Sequence, residues 1–119
     1  MYSAAILDHF QNPRNTGEVA NPDASAQLEN PACGDVLRLT LRIENDRIAE
    51  IRFLAQGCVP AVACASALTG LLLHKTLPEA RQMSRQALLD VLGGLPPEST
   101  HASHLAIDTL RAALAQLPA

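Results

Sequence analysis

Two of the three cysteines in this chain lie where one predicted element gives way to the next. Cys33 precedes a segment with a strand-like alternation, and Cys58 follows a second such segment directly before a helix-like one. A structural cysteine is expected inside a strand or helix, where it packs as a small hydrophobic residue. A thiol at the end of an element is better placed to react or to bind a metal ion, because ligands can reach it. These two residues are therefore the first candidates for a functional site.

The segments beside the two cysteines predict an antiparallel hairpin. Hydrophobic and polar residues alternate over 36–43 and over 48–56, and a polar turn at 44–47 joins the two runs. Because Cys33 precedes the first strand and Cys58 follows the second, pairing is expected to bring both thiols to the same edge of the sheet. The helix N-terminus that follows Cys58 can favour its thiolate and lower its pKa.

Other residues near the cysteines in sequence or in the predicted fold have side chains that bind metals. Asp35 follows Cys33 by two positions, and His101 and His104 lie one helical turn apart at the start of the predicted last helix. Two cysteines, one aspartate and one histidine make a tetrahedral set suited to zinc or to iron bound through sulfur. Residue types alone leave a second interpretation open, in which the thiols are packed in the interior and His101 caps a helix.

The remaining segments predict an α+β fold. Helices are predicted at 3–11, 59–74, directly after Thr76, at 84–92 and at 101–116, with a loop at 12–25 and a short edge strand at 25–29. The segment 59–74 is apolar nearly all round, as expected of a buried central helix. We therefore expect a small antiparallel sheet of about three strands packed against several helices, in a single domain over residues 1–119.

Composition narrows the classes of partner. The net charge is -3 and Lys75 is the only lysine, which argues against nucleic acid as a partner, since phosphate binding needs clustered cations. No apolar run reaches the roughly 18 residues of a membrane span, and the N-terminus lacks a signal-peptide pattern. Three cysteines without an export signal are expected to be reduced thiols in a cytoplasmic protein.

Five segments, in order, resemble the IscU/NifU-type iron–sulfur cluster assembly scaffolds. They are residues 2–15, which end in Asp-His-Phe-Gln-Asn-Pro-Arg-Asn; 31–35, Pro-Ala-Cys-Gly-Asp; 52–58, which end in Gly-Cys; 95–97, Leu-Pro-Pro; and His101 followed by 105–113. The resemblance spans almost the whole chain. The combination of motifs in this order is far more specific than any one of them.

This resemblance implies a function and a set of partners. It implies that Cys33, Asp35, Cys58 and His101 surround the site at which a cluster is assembled. It further implies a cysteine desulfurase that delivers persulfide sulfur, a [2Fe–2S] cluster formed at the site, and recipient apo-proteins to which the cluster passes. A scaffold or carrier of this kind is not expected to be an enzyme.

Two positions depart from the family's pattern. The family's third site cysteine, directly after the histidine, is Ala102 here, and it is the position most expected to receive sulfur. The lysine that an Hsp70-type chaperone recognises in the family falls at Ser99, which weighs against chaperone-driven release. Cys64 does not share the helix face of Cys58 and is expected to be a core thiol. His104 is the better candidate for a substitute ligand, although a solvent-facing role stays open for it.

Two other functions remain open at this point. The chain could keep the fold but have lost cluster assembly with the third thiol, and act as a desulfurase-binding module or hold zinc on Cys33, Asp35, Cys58 and His101. It could also be an enzyme that uses Cys58, His101 and Asp35 as a nucleophile set. The sequence shows no oxyanion loop or substrate pocket for an enzyme, and we rank this last.

Overall fold

Three strands and five α-helices are present in the structure, a computed structural model that describes residues 2–118. Their order is α1 (Ala4–Gln11), β1 (Ala24–Asn30), β2 (Asp35–Glu44), β3 (Arg47–Gln56), α2 (Val59–Leu72), α3 (Leu77–Arg81), α4 (Arg85–Leu92) and α5 (Thr100–Leu114), with a 3₁₀ turn at Pro97–Ser99. The predicted α+β class is confirmed. No helix within residues 2–118 is long and apolar enough to cross a membrane.

The three strands form one antiparallel sheet in the order β1-β2-β3. Between β2 and β3, Asn45 and Asp46 have φ values of 53° and 62°, which is the backbone of a type I′ turn and suits the twist of a two-residue hairpin. The register pairs Val36 with Gln56 and Asn30 with Asp35. The residues just before β2 and just after β3 therefore lie at the same end of the sheet, as the alternation predicted.

The central helix α2 is buried, as its composition predicted. Its buried residues are mainly small: Pro60, Ala61, Ala63, Cys64, Ala65, Ser66, Ala67, Leu68, Thr69 and Leu72. Small side chains let neighbouring elements approach closely, and α2 contacts the sheet as well as α1, α4 and α5. The helix ends at Leu72 rather than at the predicted residue 74. His74 takes a φ of 72° and its N–H donates to the Ile48 carbonyl, which turns the chain back towards β3.

The loop between α1 and β1 is held against the sheet and α2 by hydrogen bonds. The N–H of Val19 donates to Oγ1 of Thr40, which is buried although it lies on the strand face that the alternation predicted to be polar. Ser66 of α2 accepts the N–H of Arg14, and its hydroxyl is 2.8 Å from Nδ1 of His9 in α1. Since the hydroxyl oxygen already accepts from Arg14, its proton is available to a neutral His9.

The partly buried position of His9 makes the stability of the fold dependent on pH. Burial lowers the pKa of His9 below its ordinary value of 6.5, and the nearby charge of Arg14 adds to that effect. Below about pH 6.5 the unfolded chain therefore binds a proton at His9 more readily than the folded chain does. We expect the free energy of unfolding to fall as the pH drops from about 6.5 towards the lowered pKa of the folded state.

Urea unfolding at about pH 7.5 and about pH 5.5 measures this effect. The variant His9→Gln is expected to lose less stability between the two conditions than the wild type. His74→Gln is the matched control, because His74 is exposed. Equal losses in the wild type and in His9→Gln would contradict the assignment to His9.

Candidate metal centre

Three predicted site residues come together at the end of the sheet where β2 begins. Donor atoms of Cys33, Asp35 and His101 all lie within 4.8 Å of one another. Cys33 lies in the connection between β1 and β2, Asp35 is the first residue of β2, and His101 is in the first turn of α5. A thiol, a carboxylate and an imidazole at this spacing can bind one metal ion with small side-chain adjustments.

Asp35 links this group to the fourth predicted residue. The carboxylate is almost completely buried, and its Oδ2 lies 3.4 Å from Nε2 of His101. The Cys58 thiol donates to the same Oδ2 over 3.4 Å, and the Cys58 N–H donates to Oδ1 over 3.3 Å. Cys58 is therefore outside the three-residue group but adjoins it through the carboxylate. The structure therefore places Cys33, Cys58 and His101 around the side chain of the fourth predicted residue, Asp35.

The connection that carries Cys33 is a four-residue turn anchored on Asn30. The Asn30 carbonyl accepts the N–H of Gly34 at 2.7 Å and that of Cys33 at 3.3 Å, and its side chain accepts the N–H of Ala32 at 3.0 Å. Gly34 has a φ of 76°, a conformation that favours glycine. These bonds fix the backbone of the turn while Cys33 itself remains exposed.

Gly57 is required by the close approach of β3 to the Asp35 side chain. A Cβ atom built at position 57 would lie 2.7 Å from Cγ of Asp35 and 3.2 Å from its Cβ. Both distances are shorter than ordinary contacts, and the collision involves the base of the side chain as well as its carboxylate. This role of Gly57 was not predicted from the sequence. A glycine directly before Cys58 was the available signal, but the partner it makes room for lies on a different strand.

The pKa of the Cys58 thiol is opposite to the expectation from the helix N-terminus. Cys58 is the N-cap of α2, and the backbone N–H of Ala61 does favour the thiolate. Burial has the larger effect and raises the pKa, and the hydrogen bond and charge of Asp35 raise it further. The predicted lowering of this pKa is therefore wrong for the metal-free protein. A metal ion that binds the thiolate has to displace its proton.

His101 has a buried nitrogen without a hydrogen-bond partner. Nε2 is inaccessible to solvent and makes no hydrogen bond of good geometry with any residue in 2–118, although Asp35 is near. Buried polar atoms of this kind are rare and need an explanation. A bound metal ion would supply the missing partner. The alternative in which His101 caps a helix is wrong, because Ser99 is the N-cap of α5 and His101 lies inside the helix.

The other two candidate ligands lie outside the group. His104 is exposed and lines a cavity of about 320 Å³ together with His101, but among residues 2–118 the group of donors within 4.8 Å of one another does not include it. Cys64 is fully buried in α2, and burial raises its pKa to about 12. The prediction of a core thiol at Cys64 is confirmed. Ala102, where the resemblance implied a cysteine, is 1% exposed and packs in the core.

The geometry gives little support to a nucleophile set. A cysteine nucleophile needs a base within hydrogen-bond distance, and imidazole is the usual one. Among the hydrogen bonds between residues 2–118, the one that the Cys58 thiol donates goes to Asp35, whose charge disfavours the thiolate, and not to His101. The arrangement instead collects thiol, carboxylate and imidazole donors around one point.

Fold and donor set together describe an α+β protein that can hold a metal ion or a small cluster on sulfur, oxygen and nitrogen. Residues 1–119 match the model of the NifU-like N terminal domain, and the chain belongs to this family.

Relatives in this family carry a consistent name. The chain is 41% identical over 114 residues to "Iron-sulfur cluster assembly scaffold protein IscU 1" of Archaeoglobus fulgidus, with 96% of this chain and 74% of the relative covered. It is 38% identical over 118 residues to "Iron-sulfur cluster assembly scaffold protein IscU" of Escherichia coli, with 96% and 91% covered. The resemblance of this chain to the IscU/NifU-type scaffolds is thereby confirmed.

Solved structures share the fold. A putative iron–sulfur cluster assembly scaffold protein for the SUF system from Fervidobacterium islandicum superposes with a TM-score of 0.80 at 20% identity, over 95% of this chain and 96% of that one. The N-terminal part of a NifU-like protein from Brucella abortus gives a TM-score of 0.78, also at 20% identity, over 96% and 92%. At these identities the likeness supports the three-stranded α+β architecture.

Proposed function

We propose that this chain is an iron–sulfur cluster assembly scaffold that binds iron and sulfide at Cys33, Asp35, Cys58 and His101. The observation that carries the proposal is the meeting of these side chains around the buried Asp35 carboxylate, with Nε2 of His101 left without a hydrogen-bond partner. The chain's relatives are scaffold proteins by name, which supports the same function.

The chemistry of the donor set fits iron with sulfide. Thiolates of Cys33 and Cys58 suit iron in a cluster, and imidazole can replace thiolate on one of the irons. With two thiolates in place of three, the site offers less negative charge than an all-cysteine site. We expect a [2Fe–2S] cluster held this way to have a higher reduction potential than an all-thiolate cluster. A ligand set with fewer thiolates suits a cluster that the scaffold has to release to another protein.

Asp35 has two roles in this proposal. In the metal-free protein it accepts the hydrogen bond of the Cys58 thiol, which keeps that side chain beside the site. When iron binds, the Cys58 thiol loses its proton. The positive charge of the metal then takes the place of that proton next to the Asp35 carboxylate, which lies beside the metal or binds it. His101 provides an imidazole nitrogen from helix α5.

The proposed partners are proteins that supply sulfur and accept the finished cluster. A cysteine desulfurase would provide persulfide sulfur, and recipient apo-proteins would take the cluster. Ser99 stands where the family's chaperone-binding lysine is expected, and an Hsp70-type chaperone is not part of the proposal. Free thiolates need a reducing compartment, and we propose the cytoplasm.

Anaerobic reconstitution tests the function. Purified protein is incubated with ferrous iron and inorganic sulfide, and bound iron, acid-labile sulfide and visible absorption are measured. We expect the wild type and Cys64→Ala to bind both, and Cys33→Ser, Cys58→Ser and His101→Ala to lose at least about tenfold in yield. Cys64→Ala is the matched control, because it removes a thiol that lies outside the site.

Two outcomes would contradict the proposal. One is a wild-type protein that gains no visible absorption and no sulfide. The other is a protein that, as purified without added metal, already holds one zinc ion which iron does not replace. Elemental analysis before and after reconstitution separates these results.

His104→Ala measures whether the second histidine is a ligand. Since His104 is exposed and lies outside the donor group, we expect cluster yield to stay within about twofold of the wild type, in contrast to His101→Ala. A loss as large as that of His101→Ala would show that His104 replaces the missing third thiolate. The two variants lie one turn apart on α5, so each is the control for the other.

A further inference from the structure

We propose that Cys33 is the residue of this chain that accepts sulfur from a persulfide donor. The inference rests on the proposed function and adds to it the identity of the sulfur acceptor. The family's expected acceptor position is Ala102, which has no thiol, and so another cysteine has to take this step if sulfur arrives as persulfide. The three thiols of the chain differ in access and in contacts, and the differences single out one of them.

Cys64 is excluded by burial. Its side chain is fully inaccessible within α2, surrounded by the core. A sulfur transfer requires the acceptor to reach the donor's sulfur atom in line with the bond that breaks, and a thiol closed off by a helix and a sheet cannot do this.

Cys58 is accessible at the residue level, but its thiol is held by the site. It is the N-cap of α2, with both its N–H and its thiol directed at the Asp35 carboxylate. An added sulfur atom on Cys58 would extend from this position and bring further negative charge towards a buried carboxylate. Asp35 cannot easily withdraw, because the backbone of Gly57 lies directly against it.

Cys33 has the opposite properties. It is exposed in the turn between β1 and β2, and the one hydrogen bond of its thiol among residues 2–118 is a long contact of 3.9 Å to the Asn30 carbonyl. Beside the turn, Pro31 and His101 line the cavity of about 320 Å³, which leaves room for a donor segment to approach. The Cys33 sulfur is also within 4.8 Å of the Asp35 and His101 donors. Sulfur received there is already at the assembly site.

The transfer balances without a further reagent. The Cys33 thiol first gives its proton to solvent, and the thiolate attacks the outer sulfur of the donor's persulfide. A new sulfur–sulfur bond forms on Cys33 while the donor's sulfur–sulfur bond breaks, and the donor cysteine leaves as a thiolate that takes up a proton. The sulfane sulfur keeps its oxidation state. Later reduction to sulfide, which cluster formation requires, is a separate step that needs an electron donor.

The test maps persulfide on the metal-free full chain. Glutathione persulfide serves as a small probe, and a cysteine desulfurase with free cysteine serves as a protein donor. After alkylation without reductant, peptide masses show which cysteine has gained one sulfur atom. We expect the label on Cys33 in the wild type with both donors. Uptake should fall at least about tenfold in Cys33→Ser and change less than about twofold in Cys64→Ala, which removes a thiol outside the site, with circular dichroism confirming that both variants fold.

Several results would overturn the inference: a label mainly on Cys58, undiminished uptake in Cys33→Ser, or uptake on neither cysteine. Reconstitution with inorganic sulfide does not use persulfide. It therefore distinguishes a wrong assignment of the sulfur acceptor from a wrong assignment of the scaffold function. A protein that assembles a cluster from sulfide but takes no persulfide at Cys33 would keep the proposed function and refute the acceptor. A protein that does neither would refute both.

Discussion

Gly57→Ala is expected to reduce iron binding at the site by at least about tenfold and to destabilise the protein by about 1–3 kcal/mol. A Cβ at this position would lie 2.7 Å from Cγ of Asp35, so either β3 or the carboxylate has to move. The carboxylate holds the Cys58 thiol and faces His101, and its displacement separates the donors. Iron and sulfide content after reconstitution measures the first effect, and urea unfolding measures the second.

Gly70→Ala is the matched control for this change. Gly70 is an exposed residue in α2 whose added Cβ would have no heavy atom within 4 Å. A glycine in a helix costs roughly 0.5–1 kcal/mol relative to alanine, and the control should therefore be slightly more stable and bind iron as the wild type does. If Gly57→Ala also bound iron normally, the carboxylate would not need its observed position, and the central role given to Asp35 would be wrong.

Ala102→Cys is expected to lengthen the lifetime of the assembled cluster by at least about tenfold while costing the metal-free protein about 1–3 kcal/mol. A third thiolate beside His101 adds a strong iron ligand and should lower the cluster's reduction potential. The cost arises because Ala102 is 1% exposed, and an added sulfur atom has to fit into a packed region. Decay of visible absorption in air gives the lifetime, and urea unfolding of the metal-free protein gives the cost.

Ala113→Cys separates the two effects. Ala113 is fully buried in the same helix, three turns further from the site, and a thiol there should destabilise the protein without changing the cluster. The interpretation of Ala102 as a lost ligand would be contradicted if the Ala102→Cys cluster decayed at the wild-type rate.

Local patterns predicted most of the fold because each element carries its own signal. The alternation over 36–43 and 48–56 corresponds to β2 and β3, and the apolar segment after Cys58 corresponds to the buried helix α2. The errors lie where a tertiary contact decides the outcome. Thr40 is buried because the loop bonds it through Val19, and α2 stops early because His74 pairs with Ile48.

Residue types and hairpin pairing predicted which side chains meet, but their contacts required the structure. Asp35 was expected as one ligand among four, and the structure shows it at the centre, bonded to Cys58 and facing His101. The direction of the Cys58 pKa shift was predicted wrongly, because the helix N-terminus is visible in the sequence and burial is not. Gly57 was missed for the same reason, since its neighbour is 22 positions away along the chain.

The position of His101 in the chain has a consequence for the order in which the site is completed during synthesis. The turn, the hairpin and the start of α2 supply both thiols and the carboxylate within the first half of the polypeptide, whereas the imidazole arrives with the last helix. A ribosome makes the sulfur and oxygen donors before the nitrogen donor, and the sheet beside which the early donors lie has no helix α5 packed against it until the last helix is made. Docking of α5 closes the ligand set, and the protein therefore acquires its full metal site when the last helix has packed.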